Sequence, residues 1–145
     1  MSLKDPYVYR VRQVHKVVDG DTIDVDIDLG FDVSLAKRVR LAGIDTPESR
    51  TKDSYEKKLG LESKDWLKHR LEFAKNIIIK TELPDSTEKY GRILGWLYIN
   101  DEPTSINEQM IQQGYAWSYL GDTKVKDFAL LEARRKGEVD NRNFV

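Results

Sequence analysis

From Tyr7 to Val18 the apolar positions Val8, Val11, Val14 and Val17 stand among polar residues, which predicts a first strand. Asp19-Gly20 follows as a turn signal. Beyond it Ile23, Val25, Ile27 and Leu29 alternate with Thr22, Asp24, Asp26 and Asp28, the period-two pattern of a strand with one wet face. A third strand is expected from about Phe31 to Ile44, with Val39 and Leu41 facing one way, Arg38 and Arg40 the other, and Pro47 closing it. A polar loop is expected from about Glu48 to Leu59. Helical spacing of Trp66, Leu67, Arg70, Leu71 and Ala74 then predicts a helix over about Leu61–Ala74.

Strands are expected over Asn76–Thr81 and Arg92–Ile99. Ser105-Ile106-Asn107-Glu108 reads as a capping box opening a second helix, with Gly114 as its stop. A third helix is expected over about Lys124–Lys136. The order strand, strand, strand, helix, strand, strand, helix, helix predicts an α+β chain that is mainly a β barrel. Its expected form is a five-stranded OB-fold barrel with about three helices, and the pattern alone leaves other small α+β folds open. A chain of 145 residues suits one domain spanning 1–145, with its core over about 7–137.

Charge and composition narrow the chemistry. There is no cysteine, hence no disulfide framework, thiolate zinc site or cysteine nucleophile. No apolar run approaches the ~20 residues of a membrane span, so no membrane partner is expected. Met1-Ser2-Leu3-Lys4-Asp5 lacks the apolar stretch of a signal peptide, and location is left open. The formal net charge of −1 lacks the basic surplus of a nonspecific nucleic-acid binder, so any such activity must rest on a local site. Asp24, Asp26 and Asp28 do not form an EF-hand, because Gly30 comes one place late and Leu35 stands where the last glutamate belongs. His15 and His69 are expected at the surface, Trp66, Trp96 and Trp117 in packing, and Lys57-Lys58 and Arg134-Arg135-Lys136 on solvated faces.

Three segments carry chemistry: Asp19-Gly20-Asp21-Thr22, the run from Arg40 through Asp45-Thr46-Pro47-Glu48, and Glu88-Lys89-Tyr90-Gly91-Arg92. Each alone is a modest signal, and a tight turn would explain the first. In this order, followed by Asn107-Glu108 and Gln113-Gly114, they make the chain resemble the staphylococcal nuclease (thermonuclease-like) family from about Val11 to Lys136. The resemblance implies a Ca2+-dependent endonuclease that hydrolyses phosphodiester bonds with little sequence preference and leaves 3′-phosphate ends. Single-stranded or denatured DNA and RNA would be its substrates.

On the same resemblance, Asp21, Asp45 and the Thr46 carbonyl would bind calcium, and Arg40 and Arg92 would grip the phosphate. Glu48 would activate or orient water. Lys89, Tyr90, Tyr115 and Tyr119 would contact the nucleotide. The residue types suit these tasks. Carboxylates are hard oxygen ligands for calcium, and a guanidinium meets phosphate oxygens in pairs. The alternative is a noncatalytic nuclease-like module that binds nucleic acid or protein; such modules typically lose the acidic and arginine positions kept here. A monomer is the default. Two departures from the family pattern stand out: the stretch between Asp21 and Arg40 is lengthened, and Lys136-Gly137-Glu138-Val139 lacks a tryptophan after the glycine.

Overall fold

The computed structural model describes residues 7–81, 92–119 and 126–137. Five strands close into a barrel: β1 (Val8–Asp19), β2 (Thr22–Asp28), β3 (Ser34–Leu41), then β6 (Ile93–Ile99) and β5 (Ile77–Lys80), which returns to β1. Among the described residues only the β3–β6 pairing is parallel. This is the expected OB-type barrel, and among the described residues three helices accompany it: α1 (Ser54–Glu72), α2 (Ile106–Gln113) and α3 (Phe128–Arg135). Two short strands, β4 (Ile44–Asp45) and β7 (Trp117–Ser118), pair outside the barrel. The expected third strand therefore stops early. It breaks at Ala42-Gly43, where Gly43 takes φ +77 and turns the chain into β4.

The spacing of three between the valines of β1 has a structural cause. Against β2 the register skips Arg12, His15 and Val18, so a bulge recurs every third residue. Val11 and Val17 consequently point into the core, while Arg12, Gln13, His15 and Lys16 all stay exposed. Bulges coil a strand strongly, which helps a five-stranded sheet close on itself.

Ile23, Val25, Val39, Leu41, Ile79 and Leu97 fill the barrel, and Leu67, Met110 and Ile106 seal it from the helices. Each such side chain contributes about 1.5–3 kcal/mol by leaving water. Helix α2 starts and ends as expected: Glu108 N donates to the Ser105 hydroxyl at 3.1 Å, and Gly114 takes φ 84. Helix α1 begins seven residues before the expected start. Asp53 caps it by accepting from the N–H groups of Tyr55 and Glu56. The first two turns are mostly polar, and their apolar positions Tyr55 and Leu59 are interrupted by Ser63 before Leu67, which hid them; the Asp53…Glu56 spacing was a further available signal.

Asn107 ties the layers together. It is buried, its Nδ2 donates to the carbonyls of Ala42 (2.7 Å) and Gly95 (3.1 Å), and its Oδ1 accepts from Leu97 N (3.1 Å). One amide thus pins α2 to β6 and to the turn after β3. The lengthened stretch between Asp21 and Arg40 forms the β2–β3 hairpin, whose tip bears a fully exposed Phe31 at φ 54.

Candidate active site

At its end β1 delivers Asp19 to a tight turn through Gly20 and Asp21. Gly20 is not in the left-handed conformation. It is needed for space, since an added Cβ would stand 2.9 Å from Ser63 Cβ and 3.1 Å from Thr46 Cγ2. The turn therefore packs against both α1 and the segment after β4. Leu41 N donates to the Asp21 carbonyl at 2.8 Å, and the Thr22 hydroxyl donates to Asp21 Oδ1 at 2.9 Å, fixing the carboxylate.

Directly across the ladder Arg40 lies opposite Thr22. Its Nη1 donates to the Leu41 carbonyl at 2.9 Å and lies 3.5 Å from Asp21 Oδ2, while Nη2 lies 3.7 Å from Asp45 Oδ1. Asp45 reaches this point because β4 is held by β7: Asp45 faces Trp117, and Tyr119 N donates to the Gly43 carbonyl at 2.8 Å. All three charged side chains are at most 14% exposed. Two carboxylates thus flank one guanidinium at distances looser than good hydrogen bonds.

Together these groups line a polar cleft of about 270 Å³ that also holds Thr46, Glu48 and Arg92. Four separate segments meet there. Glu48 is exposed at its mouth. Beside it Asp19 accepts from the Ser49 hydroxyl at 2.5 Å and from Arg50 Nη2 at 2.9 Å. Arg50 therefore brings a third guanidinium to the rim, one that no motif marked.

The backbone of Glu48 is held from below. Its N–H donates to Glu56 Oε2 at 3.1 Å, and that buried carboxylate also accepts from Lys126 Nζ at 2.9 Å. The hydrogen bond to Glu56 raises the Lys126 pKa, partly offset by burial, and the carboxylates of Glu56, Glu48 and Asp45 add to the rise. On the same side Gly60 of α1 presses on the loop: a Cβ there would meet the Glu48 and Pro47 carbonyl oxygens at 2.6 Å. Glu56, Gly60 and Lys126 escaped the sequence reading because their partners are 8 to 70 residues away.

Of the remaining expected contacts, Lys89 and Tyr90 lie outside the described residues. Tyr115 does not line the cleft. Its ring stacks on Trp66 at 5.4 Å, and the Arg135 guanidinium sits 4.4 Å from its centroid. Tyr119 is half-buried beside Gly43 and does not line the cleft either. His15 pairs with Asp26 at 2.9 Å and His69 packs on Phe73, both away from the cleft.

The solvated face expected of Arg134-Arg135 needs correcting. Arg134 is buried and donates to the Ile111 carbonyl. Arg135 donates to the Gly114 carbonyl at 2.7 Å and to Glu62 at 2.8 Å. Carbonyls at the C-terminal end of a helix lack intrahelical donors, and two guanidinium groups from α3 donate to two carbonyls at the end of α2, those of Ile111 and Gly114.

A model of the staphylococcal nuclease homologue family matches residues 38–144 of this chain. The chain belongs to the staphylococcal nuclease family. Over 124 residues it is 32% identical to a thermonuclease from Staphylococcus intermedius, covering 85% of this chain and 68% of the relative. It is 30% identical to a micrococcal nuclease from Shigella flexneri, covering 86% and 67%. Protein ParB from Escherichia coli is 33% identical over 86% of this chain and 68% of its own length.

The donor set in this family member suits a hard divalent cation. Asp21, Asp45 and the adjacent Thr46 carbonyl offer only oxygen, and two carboxylates face one arginine. Among the described residues no three His, Cys, Asp or Glu side chains cluster as metal ligands. Water and substrate would have to complete the shell, which calcium and magnesium accept and a structural zinc site does not.

Proposed function

We propose that this chain is a Ca2+-dependent nuclease hydrolysing phosphodiester bonds in DNA or RNA, with single-stranded or denatured strands preferred and 3′-phosphate ends left. The reading is carried by one observation: Asp21, Arg40, Asp45, Thr46, Glu48 and Arg92, from four segments, line the same cleft. The two nuclease relatives support it.

In this reading Asp21, Asp45 and the Thr46 carbonyl hold the calcium ion, which would neutralise phosphate oxygens and help position water. Arg40 and Arg92 grip the scissile phosphate, and their fixed charge opposes the negative charge that builds during attack. Glu48, exposed at the cleft mouth, takes a proton from the attacking water or orients it. Its backbone hydrogen bond to Glu56 sets where the carboxylate can reach. Lys89, Tyr90, Tyr115 and Tyr119 remain nucleotide contacts in the proposal. For Tyr115 this would require its ring to contact substrate from its place between Trp66 and Arg135.

The test is cleavage of heat-denatured DNA by the purified chain with calcium, then with a chelator, beside Glu48→Gln. Cleavage should vanish with the chelator and fall on the order of 10²–10⁴-fold in the variant. A folded chain that never cuts under any divalent ion would leave the noncatalytic binding module as the reading.

A further inference from the structure

A second cleft, of about 420 Å³, lies between β1 and the C-terminal half of α1 and shares no lining residue with the candidate active site. Its floor is aliphatic, with Val14, Leu71 and Ala74. Its walls are cationic. The β1 bulges turn Arg12 and Lys16 outward, and Lys68 and Lys75 face them from the helix side. Among the described residues that line it, four are cationic and Glu72 is the one carboxylate, with the β2 aspartates Asp24, Asp26 and Asp28 lying behind the β1 wall. Arg12 is partly neutralised by Asp28 at 3.3 Å, and Lys16, an exposed ammonium, lies opposite Asp24 and interacts with it; Lys68 and Lys75 are exposed ammonium groups on the helix side. In a chain of net charge −1 that is a marked local concentration.

The cleft is not isolated from the candidate active site. Lys57, Lys64 and Lys68 lie seven and four residues apart, which places them on one flank of α1. Gly60, on the same flank, is the residue that presses against the Glu48 carbonyl. A lysine stripe therefore begins beside the Glu48 loop and ends in the cleft, about 16 Å along the helix from Lys57 to Lys68.

We propose that this stripe and cleft form a second nucleic-acid-binding surface, holding the sugar-phosphate backbone of a single strand that extends beyond the cleavage centre. Flexible exposed lysines recognise a phosphate backbone without regard to sequence, and the aliphatic floor offers no base-specific hydrogen bonds. The strand as occupant rests on the nuclease reading; the positive cleft does not. Its role is to strengthen binding of long strands while leaving the chemistry on short ones unchanged.

The experiment measures binding of a fluorescein-labelled single-stranded DNA 20-mer by anisotropy, in chelator and over a range of salt. The wild-type chain is compared with the triple variant Lys16→Gln, Lys68→Gln, Lys75→Gln. Lys37→Gln, an exposed lysine on β3 outside the cleft, is the control. The triple variant should bind about tenfold more weakly at low salt, with a log–log salt slope shallower by about 2, as three lost phosphate contacts on a single strand imply. Lys37→Gln should lose far less. With calcium, the triple variant's KM for long strands should rise while kcat on a trinucleotide stays as in wild type.

Unchanged affinity and slope in a folded triple variant would overturn the proposal. An equal loss per charge in Lys37→Gln would also overturn it, by showing that net charge alone matters. A chain that cuts neither substrate refutes the nuclease reading, and the anisotropy arm still decides the cleft.

Discussion

At Gly60 a methyl group would fall 2.6 Å from two backbone carbonyl oxygens of the Pro47-Glu48 segment. Neither partner is a flexible side-chain end, so α1 or the loop must move. Overpacking of this kind costs about 1–3 kcal/mol. We expect Gly60→Ala to fold with a lowered Tm and to lose activity on the order of 10²-fold, because it displaces Glu48. Thermal melting and single-turnover kinetics at a temperature where the variant is folded would check this; full activity would mean that the Glu48 loop tolerates displacement. Arg40 sets a second expectation. Its two Nη atoms reach towards different carboxylates, and an ammonium cannot span both. Arg40→Lys should cut turnover by about 10²–10³-fold, and near-normal kcat would remove Arg40 from the proposed role.

At the scale of elements, β2 carries a stripe of aspartates that its neighbours neutralise. Asp24 accepts from Arg38 Nε at 2.8 Å and Nη2 at 3.0 Å, and this hydrogen bonding holds its carboxyl below the usual aspartate range. A lowered folded pKa stabilises the fold above the ordinary aspartate pKa, and that contribution fades as pH falls through the lowered value. The pair is largely exposed, so its worth is under about 1 kcal/mol. In Arg38→Gln the Asp24 carboxyl should titrate at higher pH, read by carbon-13 NMR of the side chain. An unmoved titration would show that Arg38 is not the cause.

The same stripe shows what periodicity can and cannot deliver. The clean alternation over Ile23–Leu29 marked β2 because period two survives when one face is wet. In β1 the three-residue spacing of valines was visible too, but its meaning was not. The bulges behind it exist only in the pairing with β2. For α1 a local cap was present in Asp53…Glu56, yet Ser63 interrupts the apolar spacing between Leu59 and Leu67, so the period did not read as continuous.

Across the whole molecule, Asn107 joins three elements with one side chain. Asn107→Ala would strand the Leu97 N–H and leave the Ala42 carbonyl short of a donor. Leaving such buried groups unsatisfied costs about 1–3 kcal/mol each, so a loss of about 2–6 kcal/mol in chemical denaturation is expected. A loss below about 1 kcal/mol would mean that water or a shifted backbone replaces the amide.

The sequence by itself determined the family, the barrel strands, the capping of α2 and the principal charged positions of the candidate site. Those features are written locally, in hydrophobic period, turn residues and short motifs. Tertiary structure decided the rest. It turned Gly20 and Gly60 into contact points, set Glu56 and Lys126 beneath Glu48, buried Arg134 and laid Arg135 against the end of α2, and packed Tyr115 against Trp66. It also gathered a basic cleft from β1 and α1. Close approach, burial and charge proximity depend on distances between residues far apart in the chain, and no local pattern specifies such distances.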